Sequence, residues 1–176
     1  NQLKALSTAQ ISGLTSAQLA SLGDSAQLSQ LTAKQMPGVS ADNLNKLISG
    51  VVLAFSGTQV AGLTTTQLVG LTSSTLSYLS TSAVSGLTTN QIAALTTDQL
   101  VLGVAADIVG FSSAQIIGLT SAQAAALTTQ QALLLTATLI AAFETADVQA
   151  LSTNALASFT SVQVGSLSTQ AVAALT

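Results

Sequence analysis

Large apolar residues recur along this chain at alternating spacings of five and three. The segment "LTTNQIAA" at 87–94 shows the unit, with Leu87 at its first position and Ile92 at its sixth. Octads begin at Leu6, Leu14 and Leu22, slip by one residue, then run from Leu31 to Leu167 in steps of eight. Position 1 is Leu or Phe in all but two of 21 units, the exceptions being Val39 and Gly103. Position 6 is apolar throughout, from Ile11 and Leu19 to Val164 and Val172. Such internal repetition is read before anything else, because it decides the architecture.

Neither regular element fits this period. Eight residues of unbroken α-helix overshoot two turns by about 80°, so the apolar stripe would spiral round the helix. In an unbroken strand, odd spacings would put positions 1 and 6 on opposite faces. The chain must therefore turn within each octad. Position 2 is Ser or Thr in 17 of 21 units, and position 5 favours Gln, as in Gln10, Gln67, Gln91, Gln115 and Gln163. Ser/Thr followed three residues later by Gln is the spacing of a capping box, and apolar residues at positions 1 and 6 make the accompanying hydrophobic staple. The pattern predicts one brief helix over positions 3–7 of each octad. Position 8 and the next Leu make the turn, and positions 2–4 face water. Glycines at position 8 (Gly13, Gly62, Gly70, Gly86, Gly110, Gly118) suit a left-handed C-terminal residue.

A five-residue helix is far below the ~12 residues needed for marginal stability alone. It must be covered by neighbouring units, which is the logic of a solenoid. The expected fold is an all-α solenoid or superhelix of very short N-capped helices, forming a single unit over 1–176. A β-solenoid is the alternative, because Thr, Val and Ile favour strands.

Some places depart from the pattern. Residues 22–54 hold the extra residue, the only proline (Pro37), and "SADNLNKLISG" at 40–50, which predicts a longer helix capped by Ser40 and closed by Gly50. This span reads as an irregularity that bends the solenoid; a hinge or binding spot is the other reading. Residues 128–143 lack a breaker and predict one longer helix. Phe55, Phe111, Phe143 and Phe159 occupy position 1 and read as core; Tyr78, at position 8, reads as exposed.

Composition narrows the chemistry. The chain has 176 residues, 5% of them charged, and contains no His, Cys, Trp or Arg. A net charge of −3 disfavours binding to nucleic acid or anionic lipid. The longest apolar run, Leu100 to Ala106, is far short of the ~20 residues a spanning helix needs. Without Cys there is no disulfide or thiolate metal site, and poverty in Cys suits an exported protein. Without His, and with Lys only at Lys4, Lys34 and Lys46, no serine has a base to activate it. The acids Asp42, Asp98, Asp107, Glu144 and Asp147 fall in predicted first turns, where the helix dipole favours negative charge. Asp107 and Asp147 read as caps, each without the partner carboxylate that catalysis would need. No calcium loop, phosphate loop or dinucleotide motif occurs. No catalytic, cofactor-binding or metal residue is expected, and the chain is not expected to be an enzyme.

The stretch "LTTNQIAALTTDQL" at 87–100 resembles the arrays of LTTxQIAA octads found in large bacterial secreted or surface proteins of adhesin-like type. The resemblance covers essentially the whole chain and implies an extracellular structural or adhesive role. The His of haem-utilising relatives and the aspartate repeats of calcium-binding ones are missing here. The expected function is a rigid spacer, stalk or filament-forming segment; the alternative is a glycan- or ice-binding module using the Thr/Ser face. Residues 1–5 fit octad positions 4–8, and residues 175–176 fit positions 1–2. The expected setting is therefore a piece of a longer array, or subunits that associate head to tail.

Overall fold

Because so short a helix cannot persist alone, each octad has to satisfy its ends locally and bury its apolar face on its neighbours. The computed structural model describes residues 3–22, 28–47 and 49–175. Helices Thr65–Gly70, Ser73–Leu76, Thr81–Val84 and Thr89–Ala94 follow one another in successive octads. Between them the chain turns through two extended residues, positions 1 and 2. Leu71 has φ −73° and ψ 141°, and Thr72 has φ −72° and ψ 152°. No strand occurs among the described residues. The β-solenoid alternative fails because only these two residues per octad are extended, too few to build a ladder.

Each helix packs on the one three octads later. Gly57–Ala61 lies on Thr81–Val84, Thr65–Gly70 on Thr89–Ala94, and Ser121–Ala126 on Thr145–Ala150. Three octads, 24 residues, therefore make one turn of the coil. Positions 1 and 6 from all three sides meet in one continuous apolar core that runs from Leu3 to Ala171. Ile92, Ile116 and Val148 are completely buried. Burial of a Leu or Ile side chain contributes about 1.5–3 kcal/mol. Phe55, Phe111 and Phe143 lie in this core and Phe159 packs against it, while Tyr78 is exposed.

Several expectations are corrected. Residues 40–50 do not form one helix: Ser40 caps Ala41–Lys46 as expected, but Leu47 turns extended and a second helix, Ser49–Leu53, follows. Residues 128–143 likewise split into Thr129–Leu134 and Ala137–Ile140. Leu135 is extended there, and the Thr136 side chain accepts the Leu139 N–H to start the second helix. In both places the extended residue at position 1, Leu47 or Leu135, breaks the helix despite good helix formers around it.

The position-8 glycines are not left-handed. Gly13, Gly62 and Gly118 have φ between −81° and −77°, and no described glycine has positive φ. Except at Gly13, where a Cβ would meet nothing closer than 3.5 Å, their reason is close approach between coils: a Cβ on Gly86 would lie 2.3 Å from Gly57 Cα, and one on Gly62 would lie 2.3 Å from the Ala33 carbonyl oxygen.

Octad 103–110 is distorted. A π-helical turn, Gln99–Gly103, leads to a 3₁₀ turn, Asp107–Gly110. Gly103 holds the position where a Leu is expected, because a Cβ there would sit 2.9 Å from Leu76 Cβ. Val104, fully buried, fills the core one residue later. Within 22–54, residues 23–27, which hold the octad slip, and residue 48 lie outside the described residues. Pro37 sits at the start of the 3₁₀ turn Met36–Gly38, where a missing N–H is tolerated.

Two glycines give a direct check. Gly86→Ala should destabilise the protein by about 1–3 kcal/mol, because its methyl enters the Gly57 backbone. Gly50→Ala, in a helix with nothing within 4 Å, should stabilise it by about 0.5–1 kcal/mol. Chemical denaturation of both variants measures the difference.

Candidate functional site

The side chain that organises this molecule is the glutamine of position 5. In the octad 87–94 the Gln91 Oε1 accepts the Thr88 backbone N–H at 2.8 Å, and Thr88 Oγ1 accepts the Gln91 N–H at 3.3 Å. That is the expected capping box. Complete boxes also form at Ser7, Ser56, Thr64, Ser112, Thr120, Thr128 and Thr160.

The other end of the amide does something the spacing did not announce. Gln91 Nε2 donates to Leu63 O at 2.7 Å and Val60 O at 3.0 Å, both in the preceding turn of the coil. Gln99 reaches Leu71 O and Leu68 O, Gln115 reaches Leu87 O and Val84 O, and Gln163 reaches Leu135 O and Ala132 O. In these four the reach is 28 and 31 residues back, to the carbonyls of positions 1 and 6; Gln59 reaches Leu31 O and Ser29 O, and Gln131 reaches Leu100 O. Gln35 instead reaches Leu6 O and Leu3 O, 29 and 32 residues back, so the first turn holds one residue more. These glutamines are buried; Gln91 is 3% exposed and Gln131 1%. They are not part of a polar surface band, as a purely capping role would allow. No described buried side-chain N or O lacks a hydrogen-bond partner.

One side of the coil carries this latch almost without interruption. Asn43, Gln67, Gln91 and Gln115 follow turn by turn, Leu139 interrupts, and Gln163 resumes. The shorter Asn43 reaches only Leu14 O, at 2.9 Å. Where Thr75 stands at position 5, Asn45 of the turn below takes over. It accepts the Thr72 N–H at 3.0 Å and donates to Gly70 O at 2.9 Å.

The acids behave differently from the caps they were read as. Asp107 accepts Thr81 Oγ1 at 2.6 Å and Asp147 accepts Ser121 Oγ at 3.0 Å, both from position-3 hydroxyls of the preceding turn. Glu144 stands at an N-cap with no side-chain cap bond. A carboxylate at position 5 cannot donate to the carbonyls below, and the Asp side chain is one carbon too short to fold back like Gln. Asp147 is 3% exposed. Burial pushes its carboxyl above the usual range, the Ser121 hydroxyl opposes this, and the charge of Glu144 adds to it. Asp42, Asp107 and Asp147 do lie in first turns, as expected, of Ala41–Lys46, Asp107–Gly110 and Thr145–Ala150.

Two shallow concavities mark the outside. One of about 390 Å³ is bordered by Val101, Leu102, Ala105, Ala106 and Leu134; the other, of about 250 Å³, by Leu53 and Tyr78. Neither lining holds an acid or a Lys. Among the described residues no three His, Cys, Asp or Glu side chains gather, and no helix is long and apolar enough to cross a membrane.

Residues 140–176 match the model of the ALTTAQ repeat family. With the octads and the coil, that match makes this a repeat-array protein. No curated protein and no solved structure matches it significantly.

Two substitutions test the latch. Gln91→Glu keeps the capping acceptor but turns a carboxylate toward two carbonyl oxygens, and should cost about 3 kcal/mol or more at pH 7. The new acid's folded pKa would lie above its unfolded value. The variant should therefore regain stability as pH falls through that raised value. Gln18→Glu, exposed and bonded only through its Oε1 among the described residues, should change stability by less than about 0.5 kcal/mol.

Asp147→Gln should install the missing latch to Leu119 O and Ile116 O, gaining about 1 kcal/mol at pH 7. In the wild type, stability from Asp147 is lowest at neutral pH. It rises as pH falls from the group's raised folded value toward the ordinary 3.8, and the Gln variant should lose that rise. Urea titrations across pH check both.

Proposed function

We propose that this chain is a structural segment, a stiff spacer or stalk of a secreted or surface-exposed bacterial protein, without catalysis. What carries the reading is the repeated latch: each turn is tied to the previous one by buried amide bonds and a shared core. Solenoids of this kind are held by nearest-neighbour interfaces and elongate by adding repeats. Stiffness and length are then set by repeat number, which suits a part that holds other parts at a distance. The octad resemblance to exported bacterial arrays and the absence of Cys support the extracellular setting.

The alternative, a glycan- or ice-binding face, finds support in one rank of position-3 hydroxyls stacked turn upon turn: Ser73, Thr97, Ser121, Thr145 and Thr169. We favour the spacer because Ser73 and Ser121 spend their donors on the next turn, at Asp98 O and the Asp147 carboxylate.

Small-angle scattering tests the spacer. The 176-residue chain should scatter as a rod, and tandem duplication of 111–134 should lengthen it by one coil turn at constant cross-section. A compact particle, or a duplication that thickens it, would overturn the reading.

A further inference from the structure

Positions 2–4 carry a Ser or Thr in every octad but one. The exception is octad 103–110, "GVAADIVG", in the middle of the coil. It is also the octad entered through the π-helical turn Gln99–Gly103, and such turns often mark functional sites. The distortion has a cost. Gln131, in the turn above, keeps Leu100 O as its acceptor but does not reach Gly103 O, 28 residues back, where the other latches find their second carbonyl.

What this octad presents to the outside is apolar. Ala105 and Ala106 stand where hydroxyls stand elsewhere. Beside them Leu102 is 65% exposed and Val109 49%. One turn on, Leu133 occupies the same octad position as Val109 and is 52% exposed. Leu134, 43% exposed, borders the concavity of about 390 Å³ together with Leu102, Ala105 and Ala106. Helix Thr129–Leu134 packs on the turn Asp107–Gly110, so the two groups form one patch. These six side chains expose roughly 400 Å² of apolar surface, within the range where a monomer's largest patch is often functional. Asp107, in the same octad, is engaged by the Thr81 hydroxyl at 2.6 Å. No acid or Lys borders the concavity.

We propose that a second copy of this chain lays the same patch against this one, pairing two coils side by side. A standard interface buries about 800 Å² per partner, a little over half of it apolar. The patch supplies close to that apolar share. Exposed Thr81 and Gln130, with half-buried Thr128, stand at its edge and form the polar rim that such an interface has. A partner recognised by charge finds no counterpart here, whereas a copy of this chain brings an equally uncharged surface. Each copy offers both halves of the fit: Leu102 protrudes, and the concavity beside it receives the partner's Leu102. The contact joins one surface to itself. It is therefore isologous and closes at two copies. This pairing goes beyond the spacer reading and does not depend on it.

Sedimentation velocity of the 176-residue chain over a range of concentrations tests this. The expected result is a monomer–dimer equilibrium with nothing larger. Leu102→Glu with Leu134→Glu places charge in the patch. Val109→Ser with Leu133→Ser removes apolar surface without charge, should the glutamates disturb folding. Each pair should keep the helical circular dichroism and raise the dimer dissociation constant at least about a hundredfold. Val69→Glu with Ile117→Glu is the control. Those residues are 46% and 52% exposed on another side of the coil, and their replacement should leave the dimer intact. A wild type that is monomeric at every concentration overturns the proposal. So do folded patch variants that still dimerise, or a control that does not. A monomeric wild type that binds an apolar dye, with binding lost in the patch variants, gives the concavity to a small apolar ligand instead and overturns the pairing. A single coil that scatters as a rod sinks only the pairing, whereas a compact chain sinks the spacer reading.

Discussion

Everything in this molecule depends on one constraint: a helix of four to six residues leaves nearly all of its terminal N–H and C=O groups without helical partners. Water satisfies such groups in a surface loop, but here every helix lies against another. The Ser or Thr of position 2 takes the N-terminal donor. The glutamine of position 5 takes another with its oxygen and, with its nitrogen, serves carbonyls of the turn below. Three local and distant needs are met by one amide. A chain with 5% charged residues can therefore bury polar backbone at every corner and still hold one apolar core.

The latch also sets tolerances for the packing. Coils tied this closely bring backbones into contact at Gly57 and Gly86, and a glycine is required there for space. The same closeness explains the distorted octad 103–110. Leu76 of the preceding turn leaves no room for a Cβ at Gly103, so the core residue moves to Val104 and the chain takes a π-helical turn to reach it. Where the amide is replaced by Asp147, the carboxylate turns to the Ser121 hydroxyl instead, and a buried carboxyl with a raised pKa marks the local defect.

Much of the design was legible because it is local. Thr88 and Gln91 are three residues apart, Leu87 and Ile92 five, and a box with a staple predicts a helix start wherever it occurs. The core positions followed from the same spacing. One signal of the second role was present and unused: a capping box accepts Glu as readily as Gln, yet no octad has Glu at position 5. Choosing Gln and never Glu there points to an acceptor for the amide N–H₂. The readings that failed, one helix over 40–50 and another over 128–143, weighed propensity above the caps. The left-handed glycines failed because a preference for one backbone conformation was taken as the reason, when the reason was the neighbouring coil.

The sequence by itself determined where most helices begin and which two apolar positions in eight line the core, because capping and stapling act within one octad. It could not determine how many octads complete a turn. That number follows from the angle between successive helices, fixed by the packing of three sides around the core, and it decides which residues lie opposite. Only once the turn is known to hold 24 residues does Gln91 face Leu63 and Val60, Ser121 face Asp147, and Gly86 face Gly57.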